Sequence, residues 1–370
     1  MLDGTDGTVR VHTPKFYGKS GSNGNKRWVR ISLVKLDDSW VEIPELLIDA
    51  YRNTVDNTVS ATPKAVSVVN TTEAFRGGGN RAQFDEYLTT ELDTKDAFRS
   101  DLGKPRTNVS RANMRTYATN AGSELLCYEY YKWIFYWNYV IEYANFNSQA
   151  AYNAELTSDG YRQGGLGPGV TDWSNSATSW SGYNGTYPIT PCGYCNDIGN
   201  FTGIKDLVIP ECTATNETDT VATKTFKVPR WRGFDNPFGD IWTNLDGVVI
   251  QRTAANEISS VYTTTNKEEF TDVIGSKTIA GYEVAQDGYI KEFDLGETAE
   301  IIPSSCTGAS ATTYICDYHS CNATSTELRT LLVGGSAYDG GSAGLGYFRS
   351  NFGVGGAYSA VGFRTLNRVS

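Results

Sequence analysis

Four oxygen-bearing side chains, Asp235, Asp240, Asn244 and Asp246, fall within twelve residues around Trp242 and two glycines. Carboxylate and amide oxygens on a bent loop are what calcium takes as ligands, and Asp240 and Asp246 are the pair that would hold it. The same residue types make turns and cap backbone groups, and no EF-hand register is present, so a turn-forming role competes with the metal. Cys192-Gly193-Tyr194-Cys195 has the C-x-x-C spacing of a redox motif or of half a zinc site. A redox thiol needs a helix N-terminus after a strand to lower its pKa, and Pro191 in a turn-rich stretch does not supply one. Zinc would need two further ligands, and Cys212, Cys316, His319 and Cys321 are not spaced as a recognised knuckle. Buried structural thiols are the preferred reading, with zinc as the alternative.

A third constellation lies near the C-terminus. Tyr338, Tyr347, Phe348 and Tyr358 offer broad apolar faces, Asp339, Arg349, Asn351 and Ser359 offer hydrogen bonds, and many glycines separate them. That mixture resembles an antibody paratope, in which rigid aromatics supply area and short polar groups supply specificity. Tyr338, Asp339, Tyr347, Arg349, Asn351 and Tyr358 are therefore the candidate ligand-binding residues, and packing at a subunit interface is the competing role for the aromatics. No comparable case exists for catalysis. Carboxylates are plentiful but no acid and nucleophile pair of a glycosidase stands out, and the Gly-rich runs at 76–79 and 164–169 lack the Gly-Lys-Ser/Thr ending of a phosphate loop.

The elements that must position these residues read as short strands and one helix. Thr8-Val9-Arg10-Val11-His12 is a strand, and residues 28–34 alternate cleanly as a second, with Ser22-Asn23-Gly24-Asn25 in their connection, so an N-terminal β-hairpin is expected. Pro44 followed by Glu45 reads as the first turn of a helix to about Arg52. The best case for a long helix is residues 123–152, capped by Ser123, with an apolar stripe of Leu126, Tyr130, Trp133, Ile134, Trp137, Ile141 and Ala144. Glu129, Lys132 and Asn138 interrupt its apolar run, which marks a core helix rather than a membrane span. Residues 157–203 form a long loop whose Trp173, Trp180, Tyr183 and Tyr187 argue for order. Strands are expected at 247–251 and 289–293, and two more, around Leu331-Leu332-Val333 and Ala360-Val361-Gly362-Phe363, flank the aromatic loop.

Composition agrees with such a fold. The 370 residues include 38 Gly and 23 Tyr but only 2 Met, a mix suited to turns and short strands rather than long helices. A net charge of −10 opposes contact with a phosphate backbone, so nucleic acid is not an expected partner. The seven cysteines cannot all pair within one chain, and with an N-terminus that lacks the basic and apolar regions of a signal peptide they fit synthesis in a reducing cytoplasm. No heptad run supplies a fibre shaft.

The order apolar strand, Gly334-Gly335-Ser336, aromatic loop, then Gly362-Phe363-Arg364 resembles the close of the C-type-lectin variant shared by formylglycine-generating enzymes and the variable adhesins of diversity-generating retroelements. Gly239-Asp240-Ile241-Trp242-Thr243-Asn244 is similar to that family's Gly-Asn-Val-Trp-Glu-Trp block, without the second Trp. Ala74-Phe75-Arg76-Gly77-Gly78, Asn147-Ser148-Gln149-Ala150-Ala151 and the stretch 163–171 resemble a narrower group, the fibre and adhesin proteins of crAss-like and other Bacteroides phages. The resemblance implies an α+β C-type-lectin-like domain over residues 61–370, with a binding loop at 337–360, preceded by a strand-rich attachment or oligomerisation segment at 1–60. It implies a non-enzymatic virion protein, a head-fibre or tail-fibre subunit made in the bacterial cytoplasm. Its partners would be copies of itself, most simply in a trimer, other fibre or capsid proteins, and a glycan or protein of the host surface, with no membrane insertion. A purely structural connector without receptor binding is the alternative. Some C-type-lectin folds hold calcium, which favours Asp240 and Asp246 as ligands. The enzymes of the family carry a cysteine pair in the final loop, and residues 337–361 contain no cysteine, so that chemistry is excluded.

Overall fold

The computed structural model describes residues 3–24, 26–79, 100–149, 155–156, 162–163, 189–210, 223–311, 313 and 315–369. The chain is mostly β-sheet with few helices, a loop-rich α+β protein. Most of the 157–203 loop, with its four aromatics and the 164–169 glycine run, lies outside the described residues, as does Cys212.

The largest sheet is built on one long strand, Trp242–Arg252, which pairs antiparallel with Ser259–Thr263 on one side and Arg329–Val333 on the other. Val361–Gly362 joins it in parallel at Trp242 and Thr243. Both strands that flank the aromatic loop thus rest on the same scaffold strand. A second sheet closes the chain on itself, with Leu46–Asp49 between Arg10–Thr13 and the last strand, Thr365–Arg368, which also pairs with Glu124–Leu125. Arg364 ties this sheet to the 234–236 segment, because its guanidinium donates to the carbonyls of Asp49, Ala50 and Asp235.

Residues 46–49 are a strand, not the helix read from Pro44. Leu46, Ile48 and Asp49 are all fully buried, and ladder bonds to residues distant in sequence override a local cap signal. The N-terminal hairpin exists, but it joins Phe16–Asn23 to Lys26–Ser32, and Arg10–Thr13 pairs elsewhere. Gly18 and Gly21 make the 16–23 stretch look like a turn. They are there for space, since a Cβ at Gly18 would sit 2.4 Å from the Trp133 ring and one at Gly21 2.3 Å from Trp28. The expected strand at 289–293 is split between Gly288–Tyr289 and Glu292–Asp294, which belong to different sheets.

The long helix is present and shorter than its apolar stripe suggests. It runs over residues 128–143, sixteen residues with a π-helical middle at Lys132–Trp137. Ser123 does not cap it. Glu124–Leu125 is a strand, and the Ser123 hydroxyl accepts from Arg10 and donates to Asn367. Ala144, at φ +50°, ends the helix in the left-handed region. Leu126, Tyr130, Trp133, Ile134 and Trp137 of the stripe are buried, Ile141 is 46 % exposed and Ala144, just past the helix, is exposed, while burial extends around the helix to Tyr128, Tyr131, Phe135, Tyr136 and Tyr139. Such a helix belongs inside a core. Its one internal cation, Lys132, is satisfied by Glu129 at 2.8 Å and Glu300 at 2.5 Å. No helix among the described residues is long and apolar enough to cross a membrane. A second helix, Arg111–Asn120, capped by Ser110, was not evident from periodicity; its Arg111 is fully buried and donates to the carbonyls of Leu245 and Val248.

Candidate functional site

The aromatic loop leaves the 329–333 strand through Gly334 and Gly335, at φ +94° and +72°. A side chain at Gly335 would be strained by that backbone and would place its Cβ 2.6 Å from Ala343. Ser336 then closes a tight turn, its amide and hydroxyl both donating to Asp339 Oδ2 at 2.6 and 2.7 Å. The loop is fastened from below. Gln149 Nε2 donates to the carbonyls of Gly340 and Ala343, Ser148 Oγ accepts from the Leu345 amide at 2.8 Å, and Asp317 Oδ2 accepts from the Gly346 amide at 2.8 Å. Phe348–Arg349 forms a short strand against Leu332 and Val333 on one side and His319 and Ser320 on the other. On the way out, the Tyr358 carbonyl accepts from the Asn108 amide and the Ala360 carbonyl from the Trp242 amide, both at 2.8 Å.

Between the two ends of the loop lies an open cleft of about 710 Å³, lined chiefly by Trp242, Tyr338, Asp339, Arg349, Phe352 and Tyr358. Four of the six candidate ligand residues line it. Tyr338 is 54 % exposed. The Arg349 Cζ sits over two rings, 4.7 Å from the Trp242 centroid and 4.6 Å from that of Phe352, and Phe352 is in turn 4.0 Å from Tyr358. Guanidinium stacked on aromatic faces is held in place while its edge stays available.

The other two candidates are supports. Tyr347 is only 5 % exposed, edge-on to Trp242 at 4.6 Å and tilted against Tyr318 at 5.7 Å. Burial, reinforced by the nearby Asp339, drives its hydroxyl pKa up, so it is a neutral donor beneath the cleft. Asn351 stands beside the cleft, its Oδ1 accepting from Arg349 Nε at 2.9 Å and thereby orienting the guanidinium. Asp339 is largely turned inward. Burial raises its pKa, opposed by the two bonds from Ser336. Sequence reasoning missed Trp242 and Phe352 as cleft residues. Trp242 was visible within the Gly-Asp-Ile-Trp block, but only its pairing with Val361 brings it under the loop.

Asp240 and Asp246 serve separate structural roles. Asp246 is fully buried and grips Arg115 with both oxygens, at 2.6 Å to Nε and 2.9 Å to Nη2. Asp240 accepts from the Thr190 amide at 3.3 Å while its backbone carbonyl accepts from Ala337. Burial raises the Asp240 pKa to about 6, with Arg52 and Thr190 pulling the other way. Asp235 accepts from the Cys195 amide and Asn244 from the Thr330 hydroxyl. The four oxygen-bearing side chains are thus committed one by one to protein groups rather than to a common centre. No group of three or more His, Cys, Asp or Glu able to hold a metal occurs among the described residues.

The six described cysteines are free and buried. Burial raises the thiol pKa of both Cys192 and Cys195, the opposite of what thiolate chemistry requires. His319, buried with Cys306 and Glu283, resembles a triad in composition but not in function. Its Nδ1 lies 2.8 Å from the Gln286 carbonyl and its Nε2 2.9 Å from Glu283, so both nitrogens donate and the ring is an imidazolium with no lone pair for a base. The chain matches no protein-family model and no curated protein.

Proposed function

We propose that the chain is a non-enzymatic phage virion protein, a fibre subunit with a lectin-like face that adheres to the bacterial surface. The observation that carries this reading is the 334–360 loop. It is fastened at both ends to the 242–252 strand and from beneath by Ser148, Gln149 and Asp317, and it presents an aromatic cleft with a stacked arginine. A surface built this way is rigid below and chemically mixed above, as recognition of an extended surface ligand demands. The same arrangement supports the finer fold assignment, a C-type-lectin-like domain, because the order strand, Gly-Gly-Ser, loop and Gly-Phe-Arg becomes two neighbours of one scaffold strand.

The test is host-cell adsorption of particles or purified subunits bearing Tyr338→Ala, Arg349→Ala and Tyr358→Ala together. Tyr347 is left intact because it is part of the core. Adsorption should be lost while melting temperature and oligomeric state, read by light scattering as a trimer, are retained. Normal adsorption would refute the reading. A second reading, a structural connector, is supported by the exposed Leu33, Val34 and Leu36 that follow the hairpin, at 75, 61 and 64 % exposure, where a neighbouring virion protein could cover them. Loss of assembly in the triple variant would favour it.

A further inference from the structure

We infer that the ligand of this cleft is an acidic sugar, a hexose unit bearing one carboxylate, with Arg349 pairing the carboxylate and the aromatic walls taking the ring. The inference rests on the reading of the cleft as a glycan-binding face and specifies which glycans it accepts.

The charge balance of the cleft carries the argument. Its lining includes two charged side chains, Asp339 and Arg349. Asp339 spends Oδ2 on the amide and hydroxyl of Ser336, and although it lines the cleft and acts on Arg349 through space, no ion pair joins the two among the described residues. Arg349 has Nε on Asn351 and its plane over Trp242 and Phe352, and among the described residues its two terminal nitrogens make no hydrogen bond or ion pair. Those nitrogens form the preorganised edge that matches a carboxylate with two parallel bonds, a geometry that a lysine could not hold.

The same balance argues against other anions and against neutral sugars. A phosphate monoester carries nearly two charges and would meet one cation in a protein of net charge −10, whereas a carboxylate is neutralised one to one. A neutral sugar would leave the terminal nitrogens without a charged partner, forfeiting the stronger class of hydrogen bond. The overall negative charge does not forbid an acidic ligand, since at physiological ionic strength charges beyond about 8 Å are largely screened and the local guanidinium decides. The cleft volume of about 710 Å³ is within the range of sites for small ligands, so a hexose and part of its neighbour fit.

The experiment is a titration of the full chain, labelled with ¹⁵N-arginine, with methyl glucuronoside and methyl galacturonoside. Methyl glucoside, methyl galactoside, acetate and inorganic phosphate serve as comparison probes. The readout is the Arg349 Nε–H resonance, assigned by its loss in Arg349→Gln. At least one uronoside should shift that resonance saturably and bind roughly 10- to 100-fold more tightly than its neutral counterpart, and Arg349→Gln should erase the difference without lowering the melting temperature. Neutral glycosides binding as well as the uronosides would overturn the acid assignment and leave the lectin reading standing. Acetate or phosphate matching the uronosides would mean that the ring contributes nothing, and failure of both uronosides to move the resonance would overturn the inference outright. Failure of the adhesion reading shows separately, as normal host adsorption by the triple variant.

Discussion

Asp317→Asn should remove a pH dependence that the fold builds in beneath the cleft. The Asp317 carboxyl is 1 % exposed, and in the described structure it accepts one hydrogen bond, from the Gly346 amide at 2.8 Å. Gly344 and Gly346 press against it so closely that a Cβ on either would lie 1.8 and 2.5 Å from its oxygens. Burial raises its pKa from 3.8 to about 7, and the bond from Gly346 offsets only part of that. Between those two values the unfolded chain has released the proton and the native protein still holds it, so the contribution of Asp317 to stability falls as pH rises and levels off above pH 7. At about 1.4 kcal/mol per unit, the loss between pH 5 and pH 8 is about 3 kcal/mol. Asn reproduces the protonated acid, with one acceptor oxygen and a donor, and does not titrate. The assay is urea denaturation followed by tryptophan fluorescence at both pH values. The variant should exceed the wild type by about 1–2 kcal/mol at pH 5 and by about 4–5 kcal/mol at pH 8, so the gap widens by about 3 kcal/mol across that range. Parallel pH dependences in the two proteins would refute the reasoning, since they would mean that the buried acid ionises freely.

His319 contributes in the same direction through a different range. Burial works against its charge, but its bonds to Cys306 and Glu283 prevail and raise its pKa from 6.5 to about 9, so its stabilisation is complete below pH 6.5 and lost as pH rises through 9. His319→Gln should therefore flatten the wild-type decline of about 3 kcal/mol between pH 6.5 and 9, measured by denaturant titration. Trp133→Asp places a charge at a fully buried position against Gly18 and should lower stability by several kcal/mol, read as melting temperature, and an unchanged value would disprove the core assignment. Arg115→Met leaves the buried Asp246 without its two-pronged partner and should cost about 3–5 kcal/mol in chemical denaturation, whereas calcium addition should not restore the wild-type value.

Much of the outline was legible in the residues themselves. The 128–143 helix announced itself because its apolar residues recur within a few positions of one another, and a local period needs no distant partner to be read. The flanking strands of the aromatic loop, its glycine entry and four of its six proposed contact residues were visible for the same reason. Tertiary pairing decided the rest. Residues 46–49 are a strand because residues 10–13 and 366–368 lie beside them, which no signal near Pro44 encodes. Asp240 and Asp246 sit close in sequence yet have different partners, Thr190 and Arg115, because Asp240 precedes the 242–252 strand and Asp246 lies within it, and extended chain rising about 3.3 Å per residue carries them apart. Tyr347 and Arg349 read alike as loop residues. Pairing of Phe348 with Val333 turns Phe348 inward and leaves Arg349 facing the cleft, while Trp242 claims the ring of Tyr347 for the core. Composition and local order thus specified which side chains were available, and long-range register alone sorted those that hold the cleft together from those that line it.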